Sequence, residues 1–89
     1  MREVEYSGKF EKDFKRMKKR GAELDKLRDV VGKLRRGEEL ALHHKDHLLQ
    51  GRSDPERECH ITPDWLLIYV LEEDVIKLIR TGTHADLFK

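Results

Sequence analysis

The chain has 89 residues, of which 42% are charged, yet 19 Lys and Arg against 18 Asp and Glu leave a formal net charge of only +1. That length confines it to one small domain, residues 1–89, with a thin core, and excludes a large internal cavity or a second catalytic domain. Leu, Ile, Val and Phe supply 24 residues, too many for a disordered chain of low net charge.

No apolar run approaches the roughly 18 residues of a membrane span, and the opening MREVEYSGKF has no signal-peptide core. A soluble, cytoplasmic protein without a membrane partner is expected. The single cysteine, Cys59, excludes an internal disulfide framework.

Residues 2–6 alternate polar and apolar, as a short strand with one buried face does. Ser7 then stands where a helix N-cap belongs, and Phe10, Phe14 and Met17 recur at helical spacing with Lys and Arg on the other face. Gly21 suits a left-handed C-terminal cap. Leu24, Leu27, Val30 or Val31, and Leu34 form the stripe of a second helix that Gly37 ends, which makes a helix hairpin. The pattern weakens over 38–58, with turn residues Gly51, Ser53, Asp54 and Pro55 after a short strand around Leu48 and Leu49. Beyond it Glu58–Ile61 is read as a strand turned back at Pro63, before the apolar runs 65–71 and 75–79 about a polar turn at 72–74. A run such as 65–71, with no alternation, predicts a strand covered on both faces. The helix hairpin can cover one; loops or a partner must meet the other. The predicted class is α+β: an N-terminal strand and a helix hairpin packed on a small, mostly antiparallel sheet of about four strands.

The near-neutral total conceals a split, +4 over residues 1–40 and −3 over 41–89. Seven of the twelve residues from Lys9 to Arg20 are basic against Glu11 and Asp13, a local +5. A solvated helix face explains such a run, as does a polyanionic partner met by Lys15, Arg16, Lys18, Lys19 and Arg20.

No phosphate-binding Gly loop, CxxC pair or HExxH helix is present. Histidine is in surplus: His43, His44, His47 and His60 lie within eighteen residues, and His84 follows near the C-terminus. A metal site is not expected, because Cys59 and His60 would point to opposite faces of a strand and the segment holding His43 and His47 is not a convincing helix. His43 and His44 are read as surface residues. Acid–base chemistry is the other option. Cleaving RNA without metal needs one group to take the ribose 2′-hydroxyl proton, another to protonate the leaving 5′-oxygen, and positive charge on the phosphorane; imidazole serves either proton transfer near neutral pH. Arg57 or Arg80 can supply the cation. His47, His60 and His84 come from three segments beside strands, so a small sheet could converge them. Individually, Asp64 reads as a turn residue, Trp65 and Phe88 as core and Arg80 as an edge cation. Composition and spacing permit a histidine-based ribonuclease without selecting it.

Three strings change the weighting: KDHLLQG at 45–51, HITPDWLLIY at 60–69 and RTGTHADLF at 80–88. In order and spacing they resemble the signatures of the YafQ branch of the RelE/ParE toxin superfamily, and the opening VEYSGKFEKDFK is similar to that family's start. The resemblance spans essentially the whole chain. It implies a RelE-like fold and the toxin of a type II toxin–antitoxin system, a ribosome-dependent endoribonuclease that cuts mRNA in the A site with no cofactor and is silenced by an antitoxin encoded beside it.

Carried over by position, the resemblance implies His47, His60, Asp64 and His84 as the catalytic set, with His84 as general acid and His47 or His60 as general base. Trp65 would be the neighbouring site aromatic and Phe88 the aromatic that positions the message. Leu48 departs from the pattern, standing where the best-known member of the branch has a proline. Two other readings stay open: a ParE-like toxin that binds DNA gyrase and cuts nothing, and a degenerate homologue that only binds its antitoxin.

Overall fold

The computed structural model describes residues 1–88. Strand β1 (Glu3–Tyr6) leads into helices α1 (Gly8–Lys19) and α2 (Leu24–Arg35), a single 3-10 turn (Leu42–His44), strands β2 (His47–Leu48), β3 (Arg57–Thr62), β4 (Trp65–Leu71) and β5 (Val75–Gly82), and a one-turn helix α3 (His84–Leu87). The five strands form one sheet in the order β1-β5-β4-β3-β2, antiparallel except for β1, which runs parallel to β5. The expected α+β class and helix hairpin are found, with one strand more than the approximate four.

Local chemistry explains the helix boundaries. Ser7 caps α1 by accepting a hydrogen bond from the Phe10 amide at 3.0 Å, and its hydroxyl donates to the Ile79 carbonyl at 2.7 Å, tying the helix start to β5. Gly21 (φ 80°) and Gly37 (φ 76°) end α1 and α2 in the left-handed conformation. At each end the next amide reaches back to the helix, Ala22 to the Met17 carbonyl and Glu38 to the Lys33 carbonyl, as a Schellman motif requires.

Phe10 and Met17 of α1 and Leu27, Val30 and Leu34 of α2 pack on one sheet face, against Cys59, Ile61, Trp65, Leu67, Tyr69, Ile76 and Leu78. The even residues of β4 point the other way, and Leu66, Ile68 and Val70 are also buried, at 0%, 2% and 6% exposure. The strand is thus covered on both faces, as its unbroken apolar run predicts. In register beside these residues stand His60 and Gly82, Glu58 and Arg80, and Lys77. Residues paired in register share a face. The face away from the helices is therefore an apolar strip flanked by histidines and charges.

Two irregularities shape that face. Ile68 pairs with Arg80 but Tyr69 with Leu78, so Ile79 is an extra residue and β5 bulges there. β1 pairs only with 75–78, which leaves the upper edge of β5 without a strand neighbour. Ser7 and Asp13 meet it instead: the Ile79 carbonyl takes the Ser7 hydroxyl, and the Thr81 amide donates to Asp13 at 3.2 Å. Among the described residues no helix is long and apolar enough to cross a membrane.

Candidate active site

His47 stands opposite Glu58 on the short edge pair β2–β3, and Glu58 and His60 are two apart on β3, so all three share the face away from the helices. His47 Nε2 lies 3.6 Å from a Glu58 carboxylate oxygen. Its Nδ1 is 2.7 Å from the Lys45 carbonyl. A carbonyl only accepts, so Nδ1 carries the hydrogen and Nε2 is the basic atom. Lys45 holds the left-handed conformation (φ 49°) that turns its carbonyl toward the ring. The segment is anchored from below by Asp46, which accepts from the buried Tyr69 hydroxyl and pairs with Arg57 at 3.2 Å. Leu48, at the place of a proline in the related pattern, lies in β2 paired with Arg57, so backbone pairing and the Asp46 anchor hold the segment that carries His47.

His60 offers Nδ1 to the Pro63 carbonyl at 3.3 Å, again leaving Nε2 as the basic nitrogen. Its ring centroid is 5.8 Å from that of His84, and His84 is 6.2 Å from the ring of Phe88. His84 Nδ1 faces Asp64 at 3.6 Å, which aims Nε2 elsewhere. His47, Glu58 and His60 thus share one sheet face, and His84, with Asp64 and Phe88 about it, gathers beside His60.

Arg80 reaches round the β5 edge to Asp13 of α1, with Nε at 2.6 Å and Nη2 at 3.2 Å from its carboxylate. This hydrogen bonding raises the Arg80 pKa further, so its charge is permanent. Asp13, only 2% exposed, also takes the Thr81 amide and Arg16. The Arg80 backbone, paired with Ile68, belongs to the same face as His60 and Glu58.

The remaining expectations fall elsewhere. Trp65 is 4% exposed, packed in the core under α1 and α2, and its indole N–H donates to the Thr81 hydroxyl at 2.8 Å, so it offers the site no aromatic face. Arg57 is in register with Tyr69 and turned to Asp46, on the opposite face from His47 and His60. His44, expected at the surface, is 8% exposed and donates to the His60 backbone carbonyl at 2.6 Å, behind the site. Of the basic run, Arg16 and Arg20 are engaged by Asp86 of α3, at 3.4 Å and 2.7 Å.

Glu58, Asp13 and Asp86 escaped the sequence reading. Glu58 had a signal, since it is two residues from His60 on a strand and so shares its face. Asp86 had one too: Thr83-x-x-Asp86 after a glycine is a capping box. Asp13 had none, because counting charges in a basic run says nothing about which side chain turns inward. Among the described residues no three His, Cys, Asp or Glu side chains converge to hold a metal ion.

The family model for the bacterial toxin of type II toxin–antitoxin systems, YafQ, matches residues 2–89. The curated mRNA interferase toxin YafQ of Escherichia coli strain K12 is 42% identical over 88 residues, covering 98% of this chain and 96% of that protein. Among solved structures, the toxin chain of the E. coli DinJ–YafQ complex superposes with a TM-score of 0.91 at 41% identity, both chains being covered in full. A metal-bound toxin from Helicobacter pylori superposes with a TM-score of 0.93 at 43% identity, covering 99% of this chain and 100% of that one.

Proposed function

The chain belongs to the YafQ family of bacterial toxins of type II toxin–antitoxin systems, and from that premise we propose that it is a cytoplasmic mRNA interferase that cuts messages on the ribosome by metal-independent acid–base catalysis. The observation that carries this reading is the placement of His47 and His60 on one sheet face with His84 of α3 beside them, its ring centroid 5.8 Å from that of His60. Nε2 of His47 or His60 takes the proton from the ribose 2′-hydroxyl. The 2′-oxygen attacks phosphorus, and the 5′-oxygen leaves with a proton from His84 Nε2. Glu58 faces the imidazolium that forms on His47, and Asp64 faces His84. Arg80, whose backbone pairs beside Ile68 on this face, is the candidate cation, with Nη1 free of hydrogen-bond partners among the described residues. Phe88, 44% exposed beside His84, offers a base a stacking face.

The open shape of the site supports dependence on the ribosome. His47, His84 and Asp64 are exposed at 50%, 56% and 76% of their side chains, so the protein encloses little of its substrate. A message held by the ribosome arrives with the near-attack geometry that an open site cannot enforce. Lys15, Lys18 and Lys19 remain for docking on ribosomal RNA. The groove between α1 and α2, with Phe10, Phe14, Leu24 and Val31 as its floor and Lys15, Lys18, Arg28 and Arg35 as its rim, supports docking of the antitoxin partner there. An amphipathic segment with acidic flanks fits that lining, and it would cover two of the docking lysines.

The test is to induce the protein in cells and map mRNA 5′ ends. Breaks confined to translated codons, lost in His84→Ala while antitoxin binding persists, are expected. Intact messages with arrested replication would refute the reading in favour of a gyrase-binding toxin.

A further inference from the structure

His84, on which the proposed chemistry depends, rides on a helix of four residues, α3. One turn of helix has no stability of its own in water, since fixing the first turn costs more than its hydrogen bond returns. Something else must hold the ring. Within α3 the Thr83 hydroxyl accepts from the Asp86 amide at 3.2 Å, and the Asp86 carboxylate accepts from the Thr83 amide at 2.9 Å. That capping box closes the turn but leaves it free to swing about Gly82 and Thr83.

The same carboxylate is gripped from outside. Arg20 donates to both Asp86 oxygens, at 2.7 Å and 3.1 Å, in the planar two-point geometry that fixes orientation as well as distance. Arg16 adds a contact at 3.4 Å and reaches Asp13 at 3.5 Å with its other terminal nitrogen. Asp13, Arg16 and Arg20 are spaced i, i+3, i+7, one stripe that runs along α1 to its C-cap residue Arg20. The charges thus alternate in a ladder: Arg80, Asp13, Arg16, Asp86, Arg20. It holds two groups of the candidate site, Arg80 at one end and His84 through Asp86 next to the other.

Gly82 supplies an independent sign that this packing is tight. A Cβ there would lie 3.0 Å from both the Cβ and a carboxylate oxygen of Asp86, and its φ of +153° disfavours any side chain. The backbone of β5 has made room for Asp86.

We propose that Arg20 and Asp86, with Arg16 behind them, are positioning residues that aim His84 at the leaving oxygen, so that the basic stripe of α1 acts as a buttress of the active site rather than as ribosome-facing charge. The inference rests on the reading of His84 as the general acid. It assigns Arg16 and Arg20 a task distinct from that of Lys15, Lys18 and Lys19 on the same helix.

The experiment compares the full chain with Asp86→Asn, Arg20→Gln and His84→Ala, in a translating extract with a defined message. Unfolding midpoints are measured for each, and rates are expressed per folded chain. Misaiming a reacting group by about 1 Å costs on the order of 100-fold in rate. Asp86→Asn and Arg20→Gln are therefore expected to lower kcat by about 10- to 100-fold with KM within twofold. A purely structural role would lower the unfolding midpoint and leave kcat per folded chain alone. If Asp86→Asn does not fold, Arg20→Gln, altered at an exposed residue, carries the same measurement. Parental kcat in both single variants beside an inactive His84→Ala overturns the positioning assignment only. A fully active His84→Ala overturns the acid assignment and this inference with it.

Discussion

Replacing Thr81 by Val separates two accounts of Trp65. The Thr81 hydroxyl accepts from the Trp65 indole N–H at 2.8 Å and donates to the Leu66 carbonyl at 2.7 Å, in a site where both Thr81 and Leu66 are fully buried. Val has nearly the shape of Thr, so no cavity opens, but both hydrogen bonds go. An orphaned buried donor costs about 1–3 kcal/mol. The Leu66 carbonyl keeps a second lone pair and adds less, so a loss of about 2 kcal/mol is expected. In a domain of this length that lowers the unfolding midpoint by roughly 8–16 °C. Thr81→Ser keeps the hydroxyl and loses one methyl, worth about 0.8 kcal/mol. Thermal unfolding followed by the fluorescence of Trp65, the only tryptophan, measures both. Because Trp65 is core here, cleavage per folded chain should be unchanged in Thr81→Val and in Trp65→Phe. A Thr81→Val midpoint within 1–2 °C of the parent (about 0.3 kcal/mol), or a Trp65→Phe protein that folds normally yet binds RNA poorly, would refute the reasoning.

Other outcomes follow from the same geometry. Cys59 is fully buried and its thiol is pushed up to about 12 by burial and by the Asp46 and Glu58 carboxylates, so a thiol reagent at neutral pH should label it only after unfolding. Asp86 is held well below the usual carboxylate range by its hydrogen bonds from Arg20 and then from the Thr83 amide. Its stabilising contribution is complete above the unfolded value of about 4 and is lost as pH falls through the depressed folded value. Acid titration should therefore show α3 loosening at pH below that of ordinary carboxylates, and Asp86→Asn should remove that transition. Phe88→Ala should weaken message binding between about 5- and 150-fold, the worth of one stacked base, with little change in unfolding midpoint. Asp46→Ala orphans the buried Tyr69 hydroxyl at a cost of about 1–3 kcal/mol and frees the turn before His47, so stability and cleavage should fall together.

Helix caps and strand runs were legible residue by residue. Ser7, Gly21 and Gly37 act where their local chemistry places them, because a cap needs only its own turn of backbone. The unbroken run 65–71 likewise announced a strand buried on both faces. The candidate site was legible as a set of histidines and three strings, yet their sorting by face was not. His47, His60 and Glu58 fall on one face and Arg57 on the other by strand parity, which depends on register across β2 and β3 rather than on composition.

What the sequence determined by itself is the local layer: element type, element ends and the chemistry available. Only tertiary structure decided how β1 pairs with β5 across 72 positions, how Trp65 became core, and how the basic run of α1 divides its labour. The total of +1 and the local +5 of residues 9–20 count charges without positions. Three of those charged side chains, Asp13, Arg16 and Arg20, turn toward the C-terminal segment and are consumed there. Charge is additive along a chain, but its consequence depends on the distance to other charges and to water, which only the folded arrangement specifies.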